Sequence, residues 1–580
     1  MNILGISCFY HDAAAALLQD GVITAAAEEE RFTRKKHDSN FPKNAVEYCL
    51  GQADLAPKDL DCAIFYEKPF LKFERVLETA FHTAPRGFTA FSHAALQLLH
   101  EKLWVANLIK KELGGFDKIL FSGHHLSHAA SAFYASPFKR AALLTIDGVG
   151  EWDTSTEGIG VDKEIHIERS IHFPHSLGLL YSAFTQYLGF KVNSGEYKVM
   201  GLAPNGKPEY YDVIKKNLIE IEKDGSFKLN LKYFGYLSDL QMINPKFSEL
   251  FGRPPREPES KLEQFHSDIA RSIQLVTEEV MLNMASHLRD STGEKFLCMA
   301  GGVALNCVAN GRILRESGFE DIYIQPGAGD SGGAIGAAAL AYHQHFGKPR
   351  AQLMKNAYLG PEYFPEKTKR ILDEVDASYE EFSSDELLTE TAKRIHGKRV
   401  VGWFQGRMEF GPRALGNRSI VADPTDPKMK DVLNEKIKLR EGFRPFAPSV
   451  LEDKVSEYFE LDRPSPYMLL VAKTREEYVS KLPAITHVDG TARIQTVNRG
   501  DNPLYYDLIL EFSKLSGVHV VVNTSFNVRG EPIVLSPLDA FRCFMRTKMD
   551  SLVVGNYVLD KEKQGEFTDD PEWHKKLALD

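Results

Sequence analysis

Two stretches of the chain carry the same order of predicted elements. In the first, an apolar run over residues 2–8 is followed by apolar segments on either side of Asp20-Gly21, a dipeptide typical of a hairpin turn. In the second, an apolar run over residues 140–146 is followed by a predicted hairpin over residues 158–171. Each stretch continues into helical segments and a further strand-to-helix turn. This order predicts a duplicated α/β unit.

Actin-like and sugar-kinase-like ATPases share that plan, with nucleotide bound between the two halves. Within the duplicated unit we expect one long helix over residues 90–113 and an irregular insertion over residues 205–262. The sequence predicts the following division: a first domain 1–345, a connector 346–380 rich in Pro and charge, a second α/β domain 381–562, and a polar, mobile tail 563–580.

Charge, hydropathy and cysteine content narrow the class of protein. Lys and Arg number 70 and Asp and Glu number 80, so the formal charge is −10, which disfavours nucleic acid as a partner. No apolar run reaches the roughly 18 residues that a membrane helix needs, and the start does not resemble a secretory signal. Six cysteines without a CxxC pair predict reduced thiols in a cytoplasmic protein. Whether the chain forms a homodimer stays open.

Four residues form a candidate metal site. His124 and His128 lie four residues apart at the predicted start of a helix, which places both imidazoles on one helix face. Asp147 ends a predicted strand and Asp330 lies in a Gly-rich strand-to-helix turn, where ligands of open α/β sheets bind. Two His and two Asp suit Fe(II), Mn(II) or Zn(II). The alternative is structural: helix caps for the Asp residues and one His, and solvent-facing rings for the other His residues.

Gly-rich turns in the same domain form a candidate nucleotide site. Gly301 and Gly302 precede Asn306 at one strand-to-helix turn, and Gly329 lies at another. Such turns let phosphate approach the backbone at a helix N-terminus. The alternative for Gly301 and Gly302 is tight packing alone.

The second domain carries a basic constellation. Its Arg and Lys residues lie among Gly, Pro and Phe, where solvated surface charge is uncommon, and forked Arg contacts suit carboxylates and phosphates. A phosphate-bearing small ligand is therefore favoured over nucleic acid. The candidate residues are Arg413, Arg418, Lys438, Arg444, Arg493, Asn523 and Ser525.

Motifs throughout the chain resemble one enzyme family. They are FYHDAAAALL, EEERFTRKKH, GHHLSHAASAF, TIDGVGEW, GEYKVMGLAP, AGGVALNCVANG, GAGDSGGAIGAA, GWFQGRMEFGPRALGNRSI, KLREGFRPFAPSV, DGTARIQTV and VVNTSFNVRGEPIV. In this order they resemble the O-carbamoyltransferases of nodulation-factor and antibiotic biosynthesis, such as those that carbamoylate aminoglycosides and cephamycins.

The resemblance implies a fold, a reaction and a set of substrates. The first domain would be similar to the actin-like domain of the tRNA threonylcarbamoyl-transfer protein, and the second to YrdC-like domains. Family members make carbamoyl-adenylate from carbamoyl phosphate and ATP, which is used with Mg(2+), and pass the carbamoyl group to a hydroxyl of a small-molecule acceptor. The identity of that acceptor is not predicted.

The resemblance also implies residue roles. The metal held by His124, His128, Asp147 and Asp330 would be iron(II), with zinc or manganese as alternatives. His11, beside Asp12, matches the position proposed to act on the acceptor hydroxyl. The adenylating residues would be Arg413, Lys438, Arg444, Arg493 and Ser525, with Arg413, Lys438 and Arg444 as the catalytic candidates.

Three other functions stay open as alternatives. An actin-like ATPase without transfer activity would leave the basic second domain unexplained. A metallopeptidase is disfavoured because residues 125–127 are His-Leu-Ser and lack the Glu of HExxH. A tRNA-modifying enzyme is disfavoured by the charge of −10. The absence of CxxC pairs also disfavours transfer to a partner's thiol.

Overall fold

The computed structural model describes residues 1–100, 102–351 and 353–567, and shows the mixed α/β fold that was predicted. Contacts divide the chain into two compact units. Unit 1 comprises residues 1–29 and 37–355, and unit 2 comprises residues 30–36 and 356–580. Most of the predicted polar tail, residues 568–580, lies outside the described residues.

The first sheet of unit 1 has strand order β3-β2-β1-β4-β5. Strands β1, β2 and β3 are antiparallel neighbours, whereas β4 and β5 continue the sheet in parallel on the other side of β1. The predicted hairpin is thus confirmed. The strands are β1 (Asn2–Ser7), β2 (Ala14–Gln19), β3 (Val22–Glu28), β4 (Cys62–Phe65) and β5 (Ile119–Phe121).

The second sheet of unit 1 repeats the order and the direction of every strand pair. Its order is β12-β11-β6-β7-β8, with an antiparallel β6-β7-β8 meander and parallel β11 and β12 beside β6. The predicted duplication is therefore visible in the topology. The strands are β6 (Arg140–Ile146), β7 (Asp153–Val161), β8 (Glu164–His172), β11 (Phe296–Ala300) and β12 (Asp321–Ile324), with a separate pair β9 (Ile219–Ile221) and β10 (Phe227–Leu229) before β11.

Helices surround these sheets, and one of them joins the two halves. Gly5 of β1 lets the helix that begins at Asp330 approach closely, because a Cβ at Gly5 would lie 1.9 Å from the carbonyl oxygen of Ala334. The helices are α1 (Glu29–Thr33), α2 (Lys43–Gln52), α3 (Pro69–Thr83), α4 (Phe88–His100), α5 (Val105–Glu112), α6 (His124–Phe133), α7 (Leu177–Tyr187), α8 (Glu196–Leu202), α9 (Tyr211–Asn217), α10 (Pro245–Phe251), α11 (Gln264–Thr292), α12 (Cys307–Glu316) and α13 (Asp330–Leu340).

Two sequence expectations for unit 1 need correction. The single helix predicted over residues 90–113 is two helices, α4 and α5, with a 3₁₀ turn Lys102–Trp104 before α5. The insertion 205–262 is more regular than predicted, since it holds α9, the β9–β10 pair and α10.

Unit 2 is built on one mixed sheet with order β13-β21-β20-β14-β15-β19-β16-β18-β17. Its strands are β13 (Glu380–Glu381), β14 (Val401–Phe404), β15 (Arg418–Ala422), β16 (Ala447–Leu451), β17 (Leu470–Lys473), β18 (Thr491–Val497), β19 (Val520–Ser525), β20 (Ser551–Val554) and β21 (Tyr557–Asp560). Its helices are α14 (Pro365–Glu374), α15 (Ser384–His396), α16 (Met429–Asp431), α17 (Val455–Tyr458), α18 (Glu476–Val479), α19 (Pro503–Ser516) and α20 (Pro537–Arg546), with a π-helical segment Val432–Lys438 after α16.

The sequence predicts domains that follow one another along the chain, whereas each of the two units is made of two separate segments. Residues 30–36 pack with unit 2, where Arg31 donates to the Gly411 carbonyl (2.9 Å) and Arg34 to the Ile533 carbonyl (2.6 Å). Much of the predicted connector 346–380 also belongs to unit 2, because the division falls at Lys355 and α14 packs there. Long-range Arg–carbonyl bonds of this kind leave no local pattern in the sequence.

All six cysteines lie within the described residues, are buried and form no disulfide. Among the described helices, none combines the length and the apolar character that crossing a membrane requires.

Candidate functional site

The predicted metal ligands converge in unit 1. His124 and His128 lie one turn apart at the start of α6, and both rings are buried. Asp147 directly follows β6, and its Oδ2 lies 3.0 Å from His124 Nε2. His128 Nε2 lies 3.1 Å from His124 Nε2 and 3.5 Å from the same carboxylate oxygen. The two imidazoles and Asp147 therefore face a common point.

Asp330, at the start of α13, completes the cluster. Its Oδ1 lies 3.7 Å from His124 Nε2 and 3.6 Å from His128 Nε2, and this buried oxygen accepts no hydrogen bond from the described residues. One ligand atom from each of the four residues lies within 4.8 Å of the others. Two nitrogens and two carboxylate oxygens, one of them without a hydrogen-bond donor, fit a first-row divalent cation. The residues do not discriminate iron from zinc or manganese.

Neighbouring groups hold the two carboxylates in place. The Tyr66 hydroxyl donates to Asp330 Oδ2 (3.1 Å), and the Gly302 N–H donates to Asp147 Oδ1 (3.1 Å). Gly301 makes the second bond possible: its φ is +91°, and a Cβ there would lie 2.3 Å from the Ile146 carbonyl oxygen. In each carboxylate one oxygen is thus fixed by the protein while the other faces the histidines.

The electrostatics of the cluster favour its charged forms. Burial alone would raise the pKa of Asp147, but hydrogen bonds from His124 and His128 hold it well below its usual range. Burial alone would lower the pKa of His128, but Asp147 and Asp330 raise it to about 9. The carboxylates therefore stabilise positive charge at this point.

Two acidic residues that sequence reasoning missed lie beside His124. The Glu151 carboxylate accepts the His124 N–H at 3.0 and 3.1 Å and the Lys68 N–H at 2.7 Å, and so caps α6. Glu67 Oε2 lies 3.8 Å from His124 Nδ1. The position of Glu67 in the sequence could have indicated its role, because Glu67 comes soon after β4 as Asp147 follows β6.

His11 and Asp12 lie together, with a third residue that the sequence did not single out. His11 Nδ1 lies 2.9 Å from Asp12 Oδ2, and His37 Nδ1 lies 2.7 Å from Asp12 Oδ1. His37 Nε2 lies 3.1 Å from Ser194 Oγ. Asp12 adopts a left-handed backbone (φ +52°), which places its carboxylate between the two rings. Ser194, His37, Asp12 and His11 therefore form a continuous series of polar contacts that leaves His11 Nε2 at its end.

The charge of His11 depends on the metal cluster. Burial lowers its pKa, but Asp330 and Asp12 outweigh that effect and raise it to about 10. His11 therefore holds a proton at neutral pH while Asp330 carries its full negative charge.

The predicted nucleotide-site residues of unit 1 differ in their surroundings. Asn306 caps α12 through the Ala309 N–H (3.1 Å), and its amide pairs with that of Gln274, so its side chain is engaged by the protein. Gly329 precedes Asp330, and a Cβ there would meet nothing within 4 Å. Only Gly329 thus borders open space.

In unit 2 Lys438 interacts with two of the predicted candidates, Arg444 and Ser525. This buried ammonium donates to the carbonyl oxygen of Ser525 and, at 2.9 Å each, to the carbonyl and side-chain oxygens of Asn527. None of these acceptors is a carboxylate. Burial, together with Arg440 and Arg444, holds the pKa of Lys438 well below its usual range. A bound anion would offset the burial and the repulsion from the two arginines, and would thereby favour the protonated form of Lys438.

The charge of Lys36 also lowers the pKa of Lys438, although sequence reasoning gave the segment 30–36 no role. Arg444 is buried, and its Nη1 lies 3.6 Å from Glu441 Oε2. Arg413 and Arg493 are half-buried in unit 2 and stay candidates, as does Ser525, whose hydroxyl lies 3.3 Å from Lys438 Nζ.

Two other candidates of unit 2 are engaged by the protein itself. The Arg418 side chain is fully buried, stacks on Phe404 (3.7 Å to the ring centroid) and donates to the carbonyls of Gln405 (2.6 Å) and Asn417 (2.9 Å). The Asn523 amide is likewise buried and donates to Gln495 Oε1 (2.8 Å). In this geometry both side chains hold protein groups, Arg418 the loop before β15 and Asn523 the sheet, and their part in a ligand site stays a prediction.

Comparisons with known proteins identify the family of the chain. The family model "Carbamoyltransferase N-terminus" matches residues 2–339, and "Carbamoyltransferase C-terminus" matches residues 392–561. The chain belongs to the carbamoyltransferase family. The resemblance drawn from the motifs is thereby confirmed for the family, and the chain is an enzyme of the transferase class.

Two curated relatives match this carbamoyltransferase over nearly all of its length. An uncharacterized protein of Synechocystis sp. is 53% identical and covers 100% of both chains. Nodulation protein NolNO of Sinorhizobium fredii is 38% identical, over 98% of this chain and 81% of the relative. Among solved structures, component A of the (R)-2-hydroxyglutaryl-CoA dehydratase of Acidaminococcus fermentans is 16% identical and covers 59% of this chain and 98% of its own, with a TM-score of 0.31.

Proposed function

We propose that the protein is an ATP-dependent O-carbamoyltransferase with an actin-like unit 1 and a YrdC-like unit 2. Unit 2 would form carbamoyl-adenylate from carbamoyl phosphate and ATP, and unit 1 would pass the carbamoyl group to a hydroxyl of a small molecule. The observation that carries the proposal is the environment of Lys438, in a chain of the carbamoyltransferase family. Its buried ammonium has neighbouring cations but, among the described residues, no carboxylate acceptor, which suits phosphate.

The adenylating chemistry uses this positive charge. Water cleaves carbamoyl phosphate to carbamate and inorganic phosphate. A carbamate oxygen then attacks the α-phosphorus of Mg(2+)-bound ATP, and pyrophosphate leaves with the electrons of the broken P–O bond. Lys438 and Arg444 would stabilise the negative charge that develops on the phosphate oxygens. Arg413, Arg493 and Ser525 are proposed to hold the same substrates.

The transfer chemistry uses the residues of unit 1. The acceptor hydroxyl oxygen would attack the carbamoyl carbon, and AMP would leave as the C–O bond to its phosphate breaks. A cation held by His124, His128, Asp147 and Asp330 would supply Lewis-acid polarisation of the transferred group. Asp12 holds His11 Nδ1, which leaves Nε2 to take the hydroxyl proton. Asp330 and Asp12 raise the pKa of His11, so neutralising the charge of Asp330 would favour the unprotonated His11 that accepts this proton.

The decisive experiment is isotope exchange between ATP and labelled pyrophosphate, without any acceptor. We expect exchange that requires carbamoyl phosphate, because carbamate is the group that attacks ATP. Bicarbonate with ATP alone serves as the control. Exchange that proceeds equally well without carbamoyl phosphate would contradict the adenylate mechanism, and absence of exchange in a folded, metal-loaded preparation would contradict the proposal as a whole.

A further inference from the structure

Helix α3 of unit 1 shows an inverted distribution of side chains. Its buried positions include Lys72 and Arg75, which are 5% and 8% exposed. Its Phe70 and Phe81 are instead 72% and 81% exposed. A surface helix ordinarily buries its apolar stripe and exposes its charges, and Lys and Arg are among the residues least often buried. The arrangement thus keeps two cations inside against the usual energetic preference.

The two cations differ in how they are compensated. Lys72 Nζ donates to Glu67 Oε2 (2.7 Å) and lies 4.9 Å from the centre of the Tyr10 ring. The guanidinium of Arg75 lies over the Phe173 ring (5.0 Å). Its buried Nη1 has no hydrogen-bond partner, and among the described residues it forms no ion pair. A buried guanidinium nitrogen without an acceptor is costly, unless a ligand supplies that acceptor.

The carboxylates nearest to Arg75 are already engaged. Glu67 and Glu151 both act electrostatically on the guanidinium. However, Glu67 accepts from Lys72, and Glu151 accepts the backbone N–H groups of His124 and Lys68. Neither carboxylate forms a hydrogen bond or an ion pair with the Arg75 guanidinium.

Arg75 belongs to the side of the site that carries His11. Tyr10 lies between them: its ring is 4.7 Å from the His11 ring, and it interacts electrostatically with Lys72 and Arg75. Tyr10 and His11 lie in the loop between β1 and β2, and Lys72 and Arg75 lie on α3, so all four belong to the first half of unit 1, whereas the Phe173 ring under Arg75 belongs to the second. The glycine turns proposed for the nucleotide, at Gly301 and Gly329, come from the second half.

We propose that Arg75, with Lys72 beside it, binds an anionic group of the hydroxyl acceptor, so that the acceptor is a hydroxylated phosphate ester or carboxylate. This inference rests on the proposed function, because it assigns the His11 side of the cluster to the acceptor. A planar guanidinium suits both oxyanions through paired N–H bonds. The same anionic chemistry could also come from the donor, whose carbamoyl-adenylate carries a phosphate.

The first test locates an anion without knowledge of the acceptor. Crystals of the full-length protein are soaked in sodium selenate, a divalent oxyanion with an anomalous selenium signal. We expect selenium next to the Arg75 guanidinium in the wild type and in Arg86→Gln, whose exposed Arg lies beyond α3. We expect none in Arg75→Gln. A wild-type map with selenium at the Lys438 cluster but none at Arg75 would overturn the proposal, as would a peak retained in Arg75→Gln.

The second test identifies the source of the anion. The KM values for ATP and carbamoyl phosphate in pyrophosphate exchange are compared among the wild type, Arg75→Gln and Arg75→Lys. An acceptor site predicts values within about twofold of wild type in both variants, since exchange needs no acceptor. A rise of about tenfold in Arg75→Gln that Arg75→Lys restores would assign the anion to the donor and overturn the acceptor assignment. If the wild type shows no exchange, the proposed function fails, while the selenate map still decides whether Arg75 is an anion site.

Discussion

His124 Nε2 and His128 Nε2 face each other at 3.1 Å inside a closed protein environment. Two neutral imidazoles cannot both direct lone pairs at this separation without repulsion, so either a proton or a cation must lie between them. The carboxylates of Asp147 and Asp330 at the same point favour a divalent cation.

Loss of one ring should therefore remove a bound metal. We expect His128→Ala to lower the metal content from about one ion per chain to below about 0.1, because a ligand is lost from a four-residue site. The measurement is elemental analysis of anaerobically purified protein, with iron, zinc and manganese each quantified. His82→Gln, at an exposed histidine, is the matched control. Equal metal content in the wild type and His128→Ala would remove these residues from metal binding.

Asp12 should act through His11 on transfer alone. Asp12→Asn removes the carboxylate that holds His11 and His37, and we expect transfer to fall on the order of 100-fold or more. Pyrophosphate exchange should stay near the wild-type rate, since its residues belong to unit 2. The measurement is the ratio of exchange to acceptor-dependent loss of label from carbamoyl phosphate. Parallel losses in both rates would contradict the separation of the two steps.

Lys438 should be needed for adenylation. Lys438→Met removes the buried ammonium while keeping much of its volume, and we expect pyrophosphate exchange to fall on the order of 100-fold or more. Lys436→Met, two residues earlier at an exposed position, is the control for altered net charge. Circular dichroism of both variants checks the fold. A wild-type exchange rate in folded Lys438→Met would exclude Lys438 from the site.

The clustering of the four candidate metal ligands could be predicted because each lies in a local pattern. A strand followed by Asp147, and two histidines one helical turn apart, define positions at strand and helix ends from the sequence alone. The partners Tyr66 and Glu67 could not be found in this way. They reach the cluster because β4 pairs with β1 in parallel, opposite Ile6 and its neighbours, and that register is a property of the whole sheet.

The basic constellation shows where residue type ceases to be informative. Arg413 and Arg418 lie five residues apart in one Gly- and Pro-containing segment, and their chemistry is identical. Packing separates them, because Phe404 and the carbonyls of the loop enclose Arg418. The role of residues 30–36 was equally hidden, since their acceptors in unit 2 lie hundreds of residues away in the sequence.

A buried carboxyl in β7 should make stability depend on pH. Glu157 is 5% exposed, its Oε2 accepts no hydrogen bond from the described residues, and burial raises its pKa from 4.5 to about 7, although Arg169 opposes the shift. The folded protein therefore keeps this proton up to about pH 7, whereas the unfolded chain loses it near 4.5. The contribution of Glu157 to the free energy of unfolding consequently falls as pH rises through that window.

Glu157→Gln should remove the decrease in the free energy of unfolding that the Glu157 carboxyl causes as pH rises. We expect the variant to gain stability over the wild type between about pH 5 and about pH 8, by up to about 3 kcal/mol. The measurement is the unfolding temperature of both proteins across that range, with Glu168→Gln at an exposed neighbouring position as the control. A difference between Glu157→Gln and wild type that does not change with pH would contradict the shifted pKa.

Arg418 and Arg413 should fail in different ways when each is replaced by Met. Arg418→Met leaves the buried Gln405 carbonyl without its Arg418 donor and removes one of the two donors to the Asn417 carbonyl, which keeps the Gln405 N–H, and we expect a loss on the order of 3 kcal/mol in the free energy of unfolding. Arg413→Met should leave the unfolding temperature near the wild-type value and lower pyrophosphate exchange on the order of 100-fold. Thermal unfolding and exchange are measured on the same preparations, below the unfolding temperature of each variant. If Arg418→Met is as stable as wild type but exchanges slowly, Arg418 contacts a substrate after all; if Arg413→Met is destabilised to the same degree as Arg418→Met, Arg413 also belongs to the scaffold of the loop.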